Sequence, residues 1–386
     1  MAQPDGTSLK TGPETHLLPE ASGMVTRRTL LRGSALAAAG TVVAGGTGQS
    51  EAHAMMQPTI SATPEAGADL AFDIPGLSVG IAEYREVPTG CTTFIFDQEM
   101  YPGGLVLELD VRGGAPGYSG DYGITNAVCI AGGSVYGLEA TAGVASALYA
   151  AGGYQDLVAV AGAIIYDISM VTEADGGGRE RGIYPDKALG VAAVEAARPG
   201  LFPIGAQGAG IGASVGQWVD FPARKEQGGQ GGAYRQIGPY RIAFFTVVNA
   251  LGVIVNRAGE VVRGGVDPAT GEHPDPLANA EAILAGEELR AQPAGSLPPG
   301  GLSQHTTISL LVVNVDLPRE LLRQLGRQVH SSMARAIHPF HTPDDGDILF
   351  TVSTAEIPGD GVDTTALGIV ASEMAWDAVL ASVGAS

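Results

Sequence analysis

Along the chain, hydrophobic residues alternate with polar or small ones in short segments and recur at helical spacing in longer ones. Short runs rich in β-branched and aromatic residues predict β-strands at residues 77–83, 92–96, 105–111, 158–168, 241–255 and 307–315. Helical patterns lie between or after these runs and predict α-helices at residues 140–151, 318–337 and 364–381. This mixture of strands and helices indicates a layered α/β fold.

The predicted helix at 318–337 has the clearest amphipathic pattern. Pro318 stands at its first position, where the missing N–H is tolerated, and one stripe is apolar, made of Leu321, Leu322, Leu325, Val329, Met333 and Ile337. Such a stripe packs against a core while the charged side faces water. Upstream, residues 281–304 pass from a charged helix into Pro-Ala-Gly-Ser-Leu-Pro-Pro-Gly-Gly, a composition that predicts an exposed loop open to processing.

The first 54 residues resemble an export signal rather than part of the fold. Paired arginines occur at residues 26–32, a mild Ala- and Gly-rich apolar run follows at 33–45, and Glu-Ala-His-Ala closes the segment at 51–54. This order is typical of a twin-arginine signal, with cleavage expected after Ala54 and a periplasmic or extracellular destination. An uncleaved membrane anchor is the alternative, but the run falls short of the roughly 20 apolar residues that a span needs.

Composition narrows the classes of function. The chain has 386 residues, of which 45% are hydrophobic, enough to bury a large core. A formal net charge of −20 and only three lysines exclude a nucleic-acid partner. The 57 glycines show no collagen-like period and indicate many tight turns. Two cysteines, Cys91 and Cys129, are too few for a disulfide framework, and Cys129 is expected to be a buried small apolar residue.

A hydroxyl residue stands where the Pro- and Gly-rich loop meets a predicted buried strand. There the sequence reads His305-Thr306-Thr307-Ile-Ser, followed by Leu-Leu-Val-Val. This placement is what a self-cleaving N-terminal nucleophile hydrolase needs, because the hydroxyl attacks the preceding carbonyl and the freed amine later serves as its base. The alternative is that Thr-Thr-Ile-Ser merely favours a strand.

Histidine and aspartate residues cluster about thirty residues downstream, at His338, His341, Asp344, Asp345 and Asp347. The simple interpretation is a polar turn, and the more specific one is a metal site. His-x-x-His on a loop lacks the helical spacing that makes two imidazoles converge. No metal or other cofactor is therefore expected.

Several motifs resemble those of the nylon-oligomer (6-aminohexanoate-oligomer) endohydrolases. These proteins belong to the self-processing N-terminal nucleophile hydrolases that include the D-Ala-esterase/L-aminopeptidases and β-peptidyl aminopeptidases. The similarity runs from about residue 72 to residue 383 and is carried by Gly-Gly-Ser-Val-Tyr-Gly-Leu-Glu (132–139), Ile-Tyr-Asp (165–167), Tyr-Pro-Asp-Lys-Ala-Leu-Gly (184–190), Gly-Val-Ile-Val-Asn-Arg-Ala-Gly (252–259), Gln-Val-His-Ser-Ser-Met (328–333) and Pro-Phe-His-Thr-Pro-Asp-Asp-Gly-Asp (339–347).

The resemblance implies a four-layer αββα sandwich and a role for each matching residue. Thr306 matches the family nucleophile, and Asn249 matches the asparagine whose side chain would bind the oxyanion; a turn asparagine is the alternative for Asn249. Asp345 and Asp347 match the acidic pair that would orient the new N-terminal ammonium. Tyr166 matches a tyrosine near the substrate, with a buried structural tyrosine as the alternative.

The implied cut separates an α fragment, residues 55–305, from a β fragment, residues 306–386, and the family implies a homo-oligomer of such αβ units. Two positions depart from the family pattern. His305 stands where the nylon hydrolases have Asn before the cut. Gln217 stands where the family has a catalytic lysine, and Gln brings no charge. Lys225, eight residues further on, is a candidate replacement.

The sequence thus predicts an autoprocessed amidohydrolase of polyamide oligomers or related linear amides. An aminopeptidase of short L-, D- or β-peptides is a second hypothesis. The two differ in the pocket, because an aminopeptidase needs an anion that binds the terminal ammonium of the substrate, whereas an endo-amidase needs an open groove. A secreted binding protein that has lost turnover is a third, and Gln217 is the residue that favours it. Processing efficiency after His305 and the physiological substrate stay open at this level.

Overall fold

Two mixed β-sheets lie face to face in the protein, which is represented by a computed structural model. The structure describes residues 58–63, 67–114, 116–154, 157–167, 182–216, 225–267, 269–273, 275–286 and 305–385. These ranges all belong to one compact unit, Met55–Ser386. The predicted signal segment, most of the loop at 281–304 and Gln217 lie outside the described residues.

The first sheet is built from the N-terminal half of the chain. Within the described ranges its strand order is β1-β3-β4-β8-β9-β6, with β10 paired to β3. The bounds are β1 Ile60–Ser61, β3 Leu77–Tyr84, β4 Thr89–Phe96, β6 Tyr118–Ser119, β8 Ala127–Ala131, β9 Val160–Ile164 and β10 Arg198–Pro199. Only the β8–β9 pair is parallel, and helix α1, Leu138–Ala151, makes the crossover between these two strands.

The second sheet combines strands from both halves. Its order is β14-β15-β18-β20-β5-β7, with bounds β5 Leu105–Val111, β7 Ile124–Thr125, β14 Gly229–Ile237, β15 Tyr240–Asn249, β18 Thr306–Asp316 and β20 Ile348–Pro358. The central β18 runs antiparallel to β15 and parallel to β20. Helix α4, Arg319–Ser332, makes the crossover from β18 to β20.

Shorter elements complete the fold. The remaining strands are β2 Asp69–Ala71, β11 Leu201–Pro203, β12 Ser214–Val215, β13 Glu226–Gln227, β16 Val253–Val255, β17 Val261–Arg263 and β19 Ile337–His338. The remaining helices are α2 Lys187–Glu195, α3 Pro276–Leu284 and α5 Thr364–Ser382, with 3-10 turns at Ser134–Gly137, Gly208–Gly210 and Met333–Arg335. Acidic caps begin two of the helices: Asp186 accepts the Leu189 N–H, and Asp363 accepts the Thr365 and Ala366 N–H groups.

Three apolar cores explain the layering. The core between the sheets joins Phe94 of the first sheet to Phe245 and Phe350 of the second, and the Phe94 and Phe245 ring centroids are 5.0 Å apart. A second core packs α4 and α5 on the outer face of the second sheet. A third packs α1 and α2 on the first sheet. The layers are therefore α, β, β and α, which confirms the predicted four-layer sandwich.

Several predicted boundaries were wrong. The strand predicted at 158–168 covers only Val160–Ile164, and the one predicted at 241–255 is interrupted after Asn249 and resumes at Val253. The helix predicted at 318–337 ends at Ser332, and Ile337, expected on its apolar stripe, instead begins β19. Pro318 is the N-cap of that helix rather than its first residue.

Strand β14 shows how a glycine-rich segment becomes a strand without the usual β-formers. A Cβ at Gly231 would collide with the backbone of Ala378 and Ser382 in α5, and a Cβ at Gly229 would collide with the Ser382 carbonyl. The glycines therefore let the helix backbone approach the sheet closely. Propensity alone does not predict this strand.

The two cysteines behave as small core residues. Cys91 and Cys129 are both 0% exposed and unbridged, as predicted for Cys129. Among the described residues, no helix combines the length and the apolar run that crossing a membrane requires.

Candidate active site

The predicted site residues meet where β15 ends and β18 begins. The antiparallel register places Thr306 directly opposite Asn249. Strand β20 lies on the other side of β18 and pairs with it in parallel. Just before both strands begin, His305 forms a further parallel β-bridge with Asp345. Thr306, Asn249, Asp345 and Asp347 are all at most 2% exposed. The fold thus gathers four residues from three separate segments of the chain into one buried cluster.

The peptide carbonyl before Thr306 is already held by a donor. Gly346 donates its N–H to the His305 carbonyl oxygen over 2.9 Å. A backbone N–H directed at a carbonyl polarises it and stabilises negative charge that develops on its oxygen. The bond between His305 and Thr306 therefore has a polarised carbonyl in the uncut chain.

The His305 side chain is only 8% exposed. Burial and, as a smaller cause, the positive charge of Lys225 together lower the pKa of its imidazole to about 4. The ring is therefore neutral at physiological pH. Lys225 itself precedes β13, and the β12–β13 register places it opposite Gly216, the residue before Gln217. Whether Lys225 replaces the family lysine stays a prediction, because Gln217 lies outside the described residues.

Asn249 is fixed by two partners distant in sequence. Ser214 donates its backbone N–H to Asn249 Oδ1 over 2.9 Å, and Asn249 Nδ2 donates to the Tyr166 carbonyl over 3.1 Å. A turn asparagine would instead bind backbone about two residues away. Since Tyr166 follows β9, the Asn249 amide also ties the first sheet to the second at the site.

Asp347 occupies the centre of the cluster. Its Oδ1 accepts the Thr307 N–H over 2.7 Å, and its Oδ2 lies 2.9 Å from His341 Nδ1. Burial raises the pKa of this carboxyl to about 7. Because Thr307 directly follows Thr306, this hydrogen bond fixes the backbone at the start of β18.

Asp345 lies beside it and closes the turn. Its Oδ2 accepts the Thr342 N–H over 2.8 Å and the Thr342 hydroxyl over 2.7 Å. Burial and, as a second cause, the neighbouring charge of Asp347 together raise the pKa of Asp345 to about 6. Both members of the acidic pair therefore have raised pKa values. Their predicted role in orienting a new ammonium stays a prediction.

A third buried carboxylate, which was not predicted, lies next to Tyr166. Asp167 is 1% exposed and accepts the Thr89 hydroxyl over 2.6 Å and the Gly133 N–H over 2.7 Å. Burial raises its pKa to about 6. Tyr166 itself is partly exposed. Its predicted position near the substrate stays a prediction.

The structure divides the histidine and aspartate cluster of the sequence into separate places. His341 belongs to the site through Asp347, whereas His338 lines a surface pocket with His273 and Arg335. Over the described ranges, no three His, Cys, Asp or Glu side chains converge in a way that could hold a metal ion. His341, Asp167 and the Gly346 N–H were missed by sequence reasoning. Among these, the two side chains had a signal in their motifs: His341 shares the motif of Asp347, and Asp167 belongs to Ile-Tyr-Asp at 165–167.

Comparisons with known proteins identify the family of the chain. The family model of peptidase family S58 matches residues 69–385. The 6-aminohexanoate-oligomer endohydrolase of Paenarthrobacter ureafaciens is 46% identical over 325 residues, which cover 81% of this chain and 85% of that protein. The enzyme of the same name from Kocuria sp. is 45% identical with the same coverage.

A solved structure supports the fold. The L-aminopeptidase D-Ala-esterase/amidase of Ochrobactrum anthropi, described as a variant of the Ntn hydrolase fold, superposes with a TM-score of 0.53. The match covers 83% of this chain and 88% of that one at 17% identity, so it shows the shared fold alone. Together with the family match, these relatives show that the chain belongs to peptidase family S58 and is a hydrolase of amide bonds.

Proposed function

We propose that the protein cuts its own chain between His305 and Thr306 and then uses Thr306 as an N-terminal nucleophile against linear amides. The observation that carries this proposal is the arrangement around one peptide bond. Thr306 opens the central strand of the second sheet, the His305 carbonyl accepts the Gly346 N–H, and Asn249 lies opposite Thr306.

The first reaction is an acyl shift within the chain. The Thr306 hydroxyl oxygen attacks the His305 carbonyl carbon, and the carbonyl oxygen becomes an oxyanion that the Gly346 N–H stabilises. Collapse breaks the C–N bond, and the proton that the hydroxyl gives up passes to the nitrogen, so that His305 is held as an ester on the Thr306 oxygen and the nitrogen becomes an amine. Water then hydrolyses the ester and releases a chain that begins with Thr306.

The second reaction repeats this chemistry on a substrate. The freed amine of Thr306 takes the proton of its own hydroxyl, as in threonine hydrolases with an N-terminal nucleophile. The hydroxyl oxygen attacks the substrate amide carbon, and Asn249 would donate to the oxyanion. The leaving amine takes a proton, and water hydrolyses the acyl-enzyme. Asp345 and Asp347 would supply the negative charge that keeps the amine in place.

The strand order explains how two fragments would stay together after the cut. Strands β15 and β5 precede the cleavage site, and β18 and β20 follow it. Because the sheet order is β15-β18-β20-β5, the two strands that the C-terminal fragment contributes to this sheet lie between strands of the N-terminal one. Backbone hydrogen bonds on both sides therefore hold the fragments in one sheet.

Intact mass spectrometry of the protein from Met55 onward tests the proposal. Wild type and Thr306→Ser are expected to give two fragments, the smaller beginning at residue 306. Thr306→Val keeps the side-chain volume but lacks the hydroxyl, so it is expected to stay whole. A wild-type chain that remains uncut while folded, or a Thr306→Val chain that is cut, would contradict the assignment.

Oligomers of 6-aminohexanoate are the substrates that the relatives' names suggest. An aminopeptidase is the alternative, since the superposed Ochrobactrum enzyme carries that name. Oligomers with an acetylated amino end separate the two, because an endohydrolase cuts them and an aminopeptidase requires the free ammonium. We further propose export through residues 1–54 and assembly of the cut chains into a homo-oligomer; N-terminal sequencing of the exported protein and its mass in solution test these points.

A further inference from the structure

His341 is a partly buried histidine with an uncommon backbone conformation, close to the proposed nucleophile. Its φ angle is +60°, in the left-handed region that residues other than glycine adopt uncommonly, although asparagine, aspartate and histidine do so more often than the rest. Its side chain is 18% exposed. An uncommon conformation of this kind persists only where the surroundings enforce it, and such positions concentrate at functional sites.

The imidazole of His341 is held on three sides. Nδ1 lies 2.9 Å from Asp347 Oδ2. The ring stacks on Phe340 with centroids 3.9 Å apart, and it forms an edge-to-face pair with His330, whose centroid is 4.4 Å away. A neutral imidazole beside a carboxylate donates its Nδ1–H to it. The ring is thus locked in one orientation, with its donor directed at Asp347.

Charged and titratable groups surround this ring from each neighbouring element. His330 of α4 bonds through Nδ1 to Asp110 of β5 over 3.0 Å, and Arg112 bonds to the same carboxylate over 2.9 Å. Burial, together with the positive charge of Arg112, lowers the pKa of His341 to about 4. Burial also lowers the pKa of His330. Both rings are therefore neutral near pH 7, with Asp345 and Asp347 as the acids on the other side.

The contacts continue from His341 to the nucleophile's backbone. His341 binds one oxygen of Asp347, and the other oxygen accepts the Thr307 N–H. A carboxylate with a single partner can rotate about its side-chain bonds, whereas donors on both oxygens fix it. The orientation of the carboxylate that anchors the start of β18 therefore depends on His341.

We propose that His341 is a positioning residue of the self-cleavage reaction: it holds Asp347 against the Thr307 N–H and thereby places Thr306 for attack on the His305 carbonyl. This inference rests on the proposed function. It assigns to His341 no contact with the reacting atoms. It also predicts that the required feature is a donor at the Nδ1 position rather than the imidazole as a whole.

Two substitutions separate the side chain from the backbone. Glycine and asparagine both accept a positive φ, so neither His341→Gly nor His341→Asn strains the chain there. His341→Asn retains an N–H donor near the Nδ1 position, and His341→Gly has none. Asp344→Asn, an exposed acid in the same turn, is the matched control.

Two measurements are made on these variants. The first is hydrogen exchange of the Thr307 amide in an uncleavable Thr306→Ala background, where His341→Gly is expected to exchange faster than His341→Asn. The second is the rate of self-cleavage, which is expected to fall about 10- to 100-fold in His341→Gly, the size of one lost charge-assisted hydrogen bond. The rate should stay within about 3-fold of wild type in His341→Asn and in the control. Added imidazole should restore part of the His341→Gly rate.

The outcomes distinguish the two proposals. If wild type cuts itself and His341→Gly cuts at the same rate, the inference is overturned while the proposed function stands. Equal loss in His341→Gly and His341→Asn without rescue by imidazole also overturns it, because ring shape would then be the requirement. If folded wild type stays uncut, the proposed function fails and takes the positioning role with it, whatever the Thr307 exchange shows.

Discussion

Replacing Asp167 by asparagine should make the folded protein more stable at alkaline pH. Asp167 is 1% exposed, and its carboxyl accepts the Thr89 hydroxyl and the Gly133 N–H. Asparagine keeps an acceptor for Gly133, and its amide can donate to the Thr89 oxygen after the hydroxyl rotates. The substitution therefore removes the buried charge while preserving both hydrogen bonds.

The size of the effect follows from the pKa of Asp167. Burial raises it from 3.8 to about 6, a rise of roughly 2 pH units, and each unit corresponds to about 1.4 kcal/mol. The folded state holds this proton to a higher pH than the unfolded state does. Wild type therefore loses stability as pH rises from about 4 to about 6, and above that range the loss amounts to about 3 kcal/mol. Asparagine has no such loss.

Urea unfolding in the uncleavable Thr306→Ala background measures the difference. The gain in unfolding free energy of Asp167→Asn over its parent should grow by up to about 3 kcal/mol between about pH 4 and pH 8. Asp360→Asn, which changes an exposed carboxylate, is the control and should show no comparable growth. If the difference in unfolding free energy between Asp167→Asn and its parent is the same at both pH values, the reasoning is refuted. The effect of the substitution would then come from hydrogen bonding and not from the ionisation of Asp167.

Three further predictions concern single residues. Asn249→Ala should lower kcat by about 100- to 1,000-fold on a substrate amide, as loss of one oxyanion donor does, and an unchanged kcat would remove Asn249 from the mechanism. Lys225→Met should raise the pKa of His305, because a positive charge that disfavours the imidazolium is lost; an NMR titration in which that pKa does not rise would place Lys225 elsewhere. Gly132→Ala should lower Tm, since its Cβ would collide with Asp167 Oδ2, at a cost of about 1–3 kcal/mol.

Strong periodic signals predicted the scaffold well. The apolar run after Thr306 became β18, and the predicted C-terminal helix at 364–381 became α5, Thr364–Ser382. Strand β20 was not predicted, although its first seven residues are buried. A strand buried on both faces lacks the alternation that sequence reasoning searches for. Ile337 was wrongly predicted to belong to α4. Its spacing continues the apolar stripe of that helix, although the helix has already ended at Ser332.

The site was predicted by resemblance, and pattern alone would not have assembled it. Thr306 and Asn249 come together through strand register, which depends on pairing across the whole of β15 and β18. No role was predicted for His341, because that role depends on one hydrogen bond to Asp347, six residues away in an irregular turn. Backbone donors such as the Gly346 N–H have no side-chain signature at all.

The interleaved strand order also bears on how long the enzyme would survive after the proposed cleavage. Before cleavage, unfolding and refolding involve one chain, so they can be reversible. After cleavage, refolding is a meeting of two chains, in which β18 and β20 must insert between β15 and β5 at the same time. Such a step depends on concentration and competes with aggregation. The working lifetime of the cut enzyme should therefore be set by its rate of unfolding, that is, by kinetic stability, and heating the mature form should inactivate it irreversibly.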